Sequence, residues 1–234
     1  MMPKNYKIVS VEGNIGSGKS TLLENLRIYY QNNKNIIFLK EPVDDWEKIK
    51  DQQGNTMLKK FYDNQEKYSF AFQMMAYISR LKILRDTIKE INLPQNIDEK
   101  YIIITERSLY TDKNVFAKML YDQGKIEDVC YQIYLNWFNE FIGDFKIDYI
   151  IYVKTEPKKC YQRIHKRSRD GEEIIPIDYL IQCDNYHNDF ININDNFEIK
   201  IEKLVLNGNI DIFENKNIIE SWLSQINNIV ELFI

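Results

Sequence analysis

The chain has 234 residues, a hydrophobic content of 44% and a formal net charge of −4. Its length allows one large α/β domain with a substantial core, or at most two small domains. The weakly acidic balance gives no support for nucleic-acid or membrane binding, and no apolar stretch is long enough to span a membrane.

The first predicted elements surround a glycine-rich loop. Residues 6–11 form a short apolar run that predicts a strand, and residues 22–30 carry apolar side chains at helical spacing. Between them, residues 13–20 fit the pattern G-x-x-x-x-G-K-S. This strand, loop and helix predict a site for a nucleoside triphosphate.

Each part of this loop has a predicted role. Glycines let the backbone N–H groups wrap a phosphate chain, and the helix N-terminus adds a favourable dipole. Lys19 is predicted to reach the β- and γ-phosphates, and the Ser20 hydroxyl to bind Mg²⁺. The predicted ATP-binding residues of the loop are Gly13, Asn14, Ile15, Gly16, Ser17, Gly18, Lys19, Ser20 and Thr21.

The rest of the chain alternates strands with helices. Further strands are predicted at residues 36–40, 101–105, 148–153 and 203–206. Helices are predicted at residues 66–91, 113–121, 126–141, 156–166, 176–193 and 218–232. This alternation is typical of a five-stranded parallel sheet covered on both faces, a three-layer α/β/α fold of the P-loop NTPase class. The sequence contains no repeat or linker, so residues 1–234 are predicted to form one domain.

Charged side chains follow two of the predicted strands. Glu41 follows the second strand, and Glu106 and Arg107 follow the third. Ligands bind outside the carboxyl ends of strands in such sheets, so these side chains are expected beside the γ-phosphate. Glu41 is a candidate general base for a hydroxyl acceptor, Glu106 a candidate Mg²⁺ ligand, and Arg107 a group that orients Glu41 or the acceptor. Solvated loop charges are the alternative interpretation.

Residues 163–173 are basic and then acidic. Arg163 and Arg167 are four residues apart and share a helix face. With Arg169 they are consistent with a lid that supplies positive charge to the transferring phosphate, or with a solvated surface turn.

Four motifs in order resemble the deoxynucleoside kinase family, in particular its deoxycytidine, deoxyguanosine and deoxyadenosine kinase branch. They are the phosphate loop, Glu-Pro-Val-Asp-Asp-Trp at 41–46, Glu-Arg-Ser-Leu-Tyr-Thr-Asp at 106–112 and the arginine-rich segment. Tyr-Ser-Phe-Ala-Phe-Gln at 68–73 is a fifth match. The resemblance spans nearly the whole chain.

The resemblance implies an ATP-dependent kinase that phosphorylates the 5′-hydroxyl of a deoxynucleoside in nucleotide salvage, with Glu41 as base and Arg107 beside it. Tyr62 and Glu172 would bind the 3′-hydroxyl, with Glu173 as the alternative to Glu172. The other implied nucleoside-binding residues are Trp46, Phe72, Gln73 and Phe116. Arg163, Arg167 and Arg169 would be catalytic lid residues, and Arg167, Asp211 and Phe213 would contact the donor.

Four residues suggest the preferred base. Gln73, Ala76 and Arg80 share one face of the predicted central helix, and a glutamine amide can pair with a base edge. The combination of Ala76, Arg80 and Asp112 resembles the cytidine and purine branch, in which an arginine–aspartate pair leaves little room for a thymine methyl group. Deoxycytidine, deoxyadenosine or deoxyguanosine is therefore expected ahead of thymidine, with no ranking among the three.

Two rival functions fit part of the pattern. A nucleoside monophosphate kinase of the thymidylate kinase type shares the fold, but Asp44 and Asp45 beside the acceptor would repel a monophosphate. A nucleotide-dependent switch or assembly ATPase would leave Glu41, Tyr62 and Gln73 without a role.

The remaining expectations concern assembly and compartment. The family resemblance implies a homodimer, through the central and following helices. Cys130, Cys160 and Cys183 are odd in number and far apart, which predicts reduced thiols in a cytoplasmic protein. The N-terminus has no apolar signal region. The expected ligands are a deoxynucleoside, ATP and Mg²⁺, with no nucleic acid and no membrane.

Overall fold

A computed structural model describes residues 5–96, 98–167, 172, 174–193, 201–212 and 215–233. Its centre is a five-stranded sheet in which all strands are parallel, in the order β2-β3-β1-β4-β5. The strands are β1 Tyr6–Glu12, β2 Ile36–Leu39, β3 Tyr101–Glu106, β4 Tyr149–Lys154 and β5 Glu202–Asn207. The predicted five-stranded parallel sheet is confirmed, with each strand within one or two residues of its predicted bounds.

Helices cover both faces of this sheet. The helices are α1 Lys19–Tyr29, α2 Val43–Trp46, α3 Met57–Asp63, α4 Gln65–Ile91, α5 Leu109–Thr111, α6 Lys118–Asp122, α7 Asp128–Phe141, α8 Pro157–Arg167, α9 Ile177–Ile193 and α10 Lys216–Glu231. A π-helical turn, Asp112–Ala117, joins α5 to α6, and a short 3₁₀ turn, Ile142–Asp144, follows α7.

The register of the two central strands explains the two apolar layers. Val9 of β1 lies opposite Ile104 of β3, and both pack with α1 and α10. Ile8 lies opposite Ile103, and these two side chains pack with α4 and α7 on the other face. Because side chains alternate along a strand, a strand buried on both faces must be apolar throughout. This explains why the sequence shows continuous apolar runs here.

The bounds of α4, α7, α8, α9 and α10 lie within two residues of the predicted ones, and the region predicted at 113–121 differs more. The central helix α4 begins at Gln65, because the Asn64 side chain accepts a hydrogen bond from the Lys67 amide at 3.1 Å and ends the continuity with α3. The helix predicted at 113–121 starts earlier, at Leu109, and includes the π-helical turn. The helices α2 and α3 and the π turn were not predicted.

The parallel topology brings the functional segments to one edge. The glycine-rich loop follows β1, Glu41 follows β2, and Glu106 and Arg107 stand at the end of β3. Within the described ranges, no helix is both long and apolar enough to cross a bilayer. All three cysteines are free thiols.

Candidate active site

The glycine-rich loop is fixed by close backbone contacts. Gly16 has φ +76°, and a Cβ there would lie 2.6 Å from the carbonyl oxygen of Cys160 in α8. Asn14 is buried, and its side-chain amide donates to the Leu180 carbonyl in α9 at 2.8 Å. Glycine is therefore required at position 16 by conformation and by space. Contacts with α8 and α9 therefore fix the conformation of the loop.

Lys19 and Ser20 lie at the start of α1. The Lys19 ammonium is buried and donates to the Asn14 carbonyl at 2.8 Å. Burial, followed by the charge of Arg107, lowers the pKa of Lys19 to about 7. The Ser20 hydroxyl donates to a Glu106 carboxylate oxygen at 2.6 Å. A hydroxyl and a carboxylate oxygen, side by side after a phosphate loop, are the ligands that Mg²⁺ prefers.

Glu41 is the centre of an ion-pair network. Nη1 of Arg107 donates to both Glu41 carboxylate oxygens at 2.8 Å, and Nη2 of Arg80 donates to one of them at 3.1 Å. Burial opposes ionisation of Glu41, but Arg107, Arg80 and Lys19 together hold its pKa at about 2. Glu41 is therefore a carboxylate throughout the physiological range and can accept a hydrogen bond from a hydroxyl.

Part of the Arg107 guanidinium has no hydrogen-bond partner among the described residues. Its guanidinium lies over the Phe116 ring at 5.2 Å, while Nε and Nη2 are buried without a hydrogen-bond partner in the described part of the chain. Buried donors of a charged group are costly to leave unpaired. These N–H groups fit a ligand oxygen in the cleft.

One face of α4 forms the opposite wall. Gln73, Ala76 and Arg80 are buried and line the same cleft, so the predicted helix face is confirmed. Arg80 Nε donates to Asp112 Oδ2 at 2.9 Å, and Nη1 donates to the Glu106 carbonyl at 2.6 Å. The Gln73 amide makes no hydrogen bond to the described residues and lines the cleft. Arg80 thus connects the Gln73 end of the cleft to Glu41.

Aromatic side chains enclose the cleft. Trp46 and Phe72 meet edge to face at 5.7 Å, and Phe61 stacks on Phe72 at 4.5 Å. The Trp46 indole N–H donates to the Ser79 hydroxyl at 2.9 Å, which fixes the ring. Burial and the nearby Glu172 carboxylate raise the pKa of Tyr62 well above its usual value, so its hydroxyl remains a donor. A flat, partly apolar ligand matches these walls.

The predicted arginines of α8 have different partners. Arg163 Nη1 donates to the Ser17 carbonyl at 3.1 Å, beside the phosphate loop. Arg167 donates to Glu172 through Nε at 2.8 Å and Nη2 at 2.5 Å. Arg169 and Phe213 lie outside the described residues, as does Glu173.

The cleft has a volume of about 440 Å³. It brings together the predicted residues Ile15, Gly16, Ser17, Gly18, Lys19, Ser20, Thr21, Glu41, Trp46, Tyr62, Phe72, Gln73, Ala76, Arg80, Glu106, Arg107, Asp112, Phe116, Arg163, Arg167, Glu172 and Asp211. Gly13 and Asn14 belong to the loop but do not line the cleft. Lining residues that were not predicted are Val43, Leu58, Phe61, Lys166, Tyr179, Gly208, Ile210, Ile212 and Trp222. Of these, Val43 lies within the motif at 41–46, and most of the others are apolar side chains whose sequence positions carry no functional signal.

The expectation for Asp44 and Asp45 is wrong. Both side chains are exposed on α2 and neither lines the cleft. The Asp45 carboxylate forms an ion pair with the ammonium of Lys48, three residues further along the chain, at 2.6 Å. Their charge therefore does not argue against a phosphorylated acceptor.

Comparison with known proteins identifies the family. The family model described as "Deoxynucleoside kinase" matches residues 9–231. A fowlpox virus protein named "Probable deoxycytidine kinase" is 36% identical over 99% of this chain and 92% of its own. Rat deoxycytidine kinase is 31% identical over 90% of this chain and 86% of its own. Human mitochondrial thymidine kinase 2 is 30% identical over 79% of this chain and 64% of its own.

The matched range, residues 9–231, includes the phosphate loop, Glu41, and the Arg80–Asp112 pair. The chain belongs to the deoxynucleoside kinase family and is an ATP-dependent deoxynucleoside kinase.

Proposed function

We propose that this enzyme transfers the γ-phosphate of ATP to the 5′-hydroxyl of a deoxyribonucleoside in nucleotide salvage, with deoxycytidine, deoxyadenosine or deoxyguanosine preferred over thymidine. The observation that carries the proposal is Glu41, a partly buried carboxylate held by Arg107 and Arg80 between the phosphate loop and the Gln73 wall. This position suits a group that meets a sugar hydroxyl in line with a bound triphosphate.

Glu41 would accept the hydrogen of the 5′-hydroxyl as the oxygen attacks phosphorus. Arg107 fixes both carboxylate oxygens, and the N–H groups of its unpaired Nε and Nη2 would bind the hydroxyl or a transferring phosphate oxygen. Lys19 and Arg163 would neutralise the charge on the phosphate oxygens. The chemistry needs little more than this positioning and positive charge.

A divalent metal fits the site. Ser20 Oγ and a Glu106 carboxylate oxygen are 2.6 Å apart beside the loop, and we propose that these two residues hold Mg²⁺. When bound, Mg²⁺ would neutralise charge on the triphosphate. Glu106 would have to exchange its hydrogen bond from Ser20 for contact with the ion, directly or through water.

The donor nucleotide would extend from the loop toward the end of β5. Asp211 and Ile210 line that part of the cleft, with Trp222 of α10 beside them. We propose that this apolar wall contacts the donor base, with Asp211 as a hydrogen-bond acceptor. The predicted contact of Phe213 stays a prediction.

The Arg80–Asp112 pair supports the proposed base preference. Both side chains are nearly fully buried, and the pair is held by two hydrogen bonds at 2.9 and 3.4 Å. Such a fixed pair narrows the pocket and presents charged and polar edges rather than an apolar space for a methyl group. Gln73, with an amide donor and an acceptor, would read the base edge.

The proposed lid, about residues 163–173, would close over the phosphates. Among the described residues of this segment, Arg167 pairs with Glu172, and Glu172 is buried near Tyr62. We propose that Glu172 and Tyr62 bind the 3′-hydroxyl, and that Arg167 is released toward the donor when they do.

The test is ADP formation from MgATP with each of the four deoxynucleosides and their monophosphates, for the wild type and for Glu41→Gln. Turnover on deoxynucleosides that falls by about a hundredfold or more in the variant supports the proposal. Turnover on monophosphates alone moves the assignment to a monophosphate kinase. Hydrolysis that ignores every acceptor contradicts the acceptor site.

We also propose a homodimer formed through α4 and α7. Val129, Ile133 and Trp137 form an exposed apolar stripe on α7, where each side chain is more than 40% exposed. The Tyr77 hydroxyl of α4 donates to the Trp137 carbonyl at 3.2 Å, so the two helices share this side of the molecule. Sedimentation should show a dimer for the wild type and a monomer for Ile133→Asp. Ile28→Asp, at an even more exposed apolar position on α1, should remain dimeric.

Two further proposals concern the whole chain. The family match from residue 9 to residue 231 supports a single kinase domain. The free thiols of Cys130, Cys160 and Cys183 support a reducing, cytoplasmic location.

A further inference from the structure

Glu12, the last residue of β1, is a buried carboxylate outside the roles given above. It is fully buried, and within the described residues its oxygens are hydrogen-bonded by hydroxyls, while its charge is a lesser contributor to the raised pKa of Arg107. Three hydroxyls donate to it: Ser10 at 2.5 Å, Ser108 at 2.7 Å and Thr111 at 2.5 Å. Burying a carboxylate costs free energy unless its oxygens are hydrogen-bonded. The three hydroxyls supply these hydrogen bonds to both oxygens of Glu12.

Two of these donors hold the turn that carries Arg107. Ser108 follows Arg107 directly, and its hydroxyl also caps the next helix by accepting from the Thr111 amide at 3.2 Å. The Arg107 amide donates to the Val11 carbonyl at 3.0 Å. The turn is therefore tied to the last two residues of β1.

The conformation of Arg107 explains why such a tie is needed. Its φ is +61°, the only positive φ at a non-glycine residue in the described chain. In an extended strand, consecutive side chains point to opposite faces, yet Glu106 and Arg107 both line the cleft. The left-handed turn permits this, but it is sparsely populated for a residue with a Cβ.

We propose that Glu12 is a positioning residue for phosphoryl transfer: through Ser108 and Thr111 it holds Arg107 in the left-handed turn that aims its guanidinium at Glu41. This rests on the proposed function, because Arg107 matters to turnover only if Glu41 receives the acceptor hydroxyl. Glu12 itself does not line the cleft.

The first test is Glu12→Gln, which keeps the size of the side chain but places an amide donor against hydroxyl donors. The turnover rate is divided by the concentration of sites that bind MgATP, so that misfolded protein is not counted. We expect this kcat to fall about tenfold to a hundredfold, the usual loss when a supporting hydrogen bond to a functional group is removed. The KM for MgATP should change by less than about twofold, because the loss acts in the transition state. Tyr30→Phe removes the hydrogen bond from a buried tyrosine hydroxyl to Asn227, outside the cleft; it is the matched control and should leave kcat unchanged.

The second test follows Arg107 without using turnover. Phenylglyoxal labels accessible arginines, and peptide mass spectrometry reports each site. Arg107 and Arg80 are 4% and 5% exposed and both bind Glu41, but only Arg107 is tied to Glu12. We expect Glu12→Gln to increase labelling of Arg107 severalfold and to leave Arg80 protected.

The outcomes separate the proposals. Equal labelling of both arginines, or an unchanged kcat per binding site with only a lower Tm, would make Glu12 merely structural and overturn the inference. A wild-type enzyme without acceptor-dependent turnover would overturn the proposed function, while the labelling result would still decide whether Glu12 holds Arg107.

Discussion

Replacing Lys19 by methionine should stabilise the nucleotide-free protein while abolishing turnover. The Lys19 ammonium is buried, and its hydrogen-bond partner is the Asn14 carbonyl rather than a carboxylate. Burial and Arg107 lower its pKa from 10.5 to about 7, which means that the fold disfavours the charged form. Methionine keeps most of the length and removes the charge.

The size of the effect follows from the pKa. One pKa unit corresponds to 1.36 kcal/mol, so the depression costs the folded wild type about 4 kcal/mol at pH 7 as an upper limit. Between about 7 and 10.5 the unfolded chain binds more protons than the folded chain, so wild-type stability rises with pH across this window. The advantage of Lys19→Met is therefore largest at pH 7 and below, and shrinks as the pH rises toward 10.5.

The assay is urea unfolding of both nucleotide-free proteins from about pH 6 to about pH 9.5. Lys82→Met removes an exposed lysine and should change stability by about 0.5 kcal/mol or less at every pH. MgATP should raise the wild-type midpoint and leave that of Lys19→Met unchanged. A variant less stable than the wild type at pH 7, or a gain that does not depend on pH, would refute the reasoning.

Two other substitutions probe the loop and the acceptor pocket. Gly16→Ala should weaken MgATP binding by about tenfold or more, measured by calorimetry, because its Cβ would meet the Cys160 carbonyl; Gly143→Ala, with open space around it, should bind normally. Asp112→Ala should lower kcat for deoxycytidine and raise the relative kcat/KM for thymidine, because Arg80 loses one carboxylate and pairs more strongly with Glu41. Adding Arg80→Met to Asp112→Ala should recover part of kcat, and no recovery would contradict the link from Arg80 to Glu41.

Much of the site was predictable because it depends on local spacing and strand order. The phosphate loop is specified by its glycines and by Lys19, and the confirmed face of α4 follows from helical periodicity. The contact between Glu41 and Arg107 was predictable because each follows one of two parallel strands. The carboxyl ends of such strands lie at the same edge of the sheet, where ligands bind.

Other features depend on contacts between distant segments or on unusual backbone. The left-handed conformation of Arg107 has no signal in its residue type, and the π turn that starts at Asp112 interrupts an ordinary helical pattern. The Arg80–Glu41 contact joins residues from α4 and the β2 loop. Asp44 and Asp45 were misplaced because a four-residue helix turns both side chains away from the cleft.

The most direct test of the central claim is a competition of the four deoxynucleosides in one reaction with MgATP, with the 5′-monophosphates measured by mass spectrometry. The account predicts that dCMP, dAMP or dGMP forms faster than dTMP. It also predicts that Glu41→Gln forms every monophosphate much more slowly than the wild type does. Preferential formation of dTMP would contradict the role given to Arg80 and Asp112, and undiminished synthesis by Glu41→Gln would contradict the role given to Glu41.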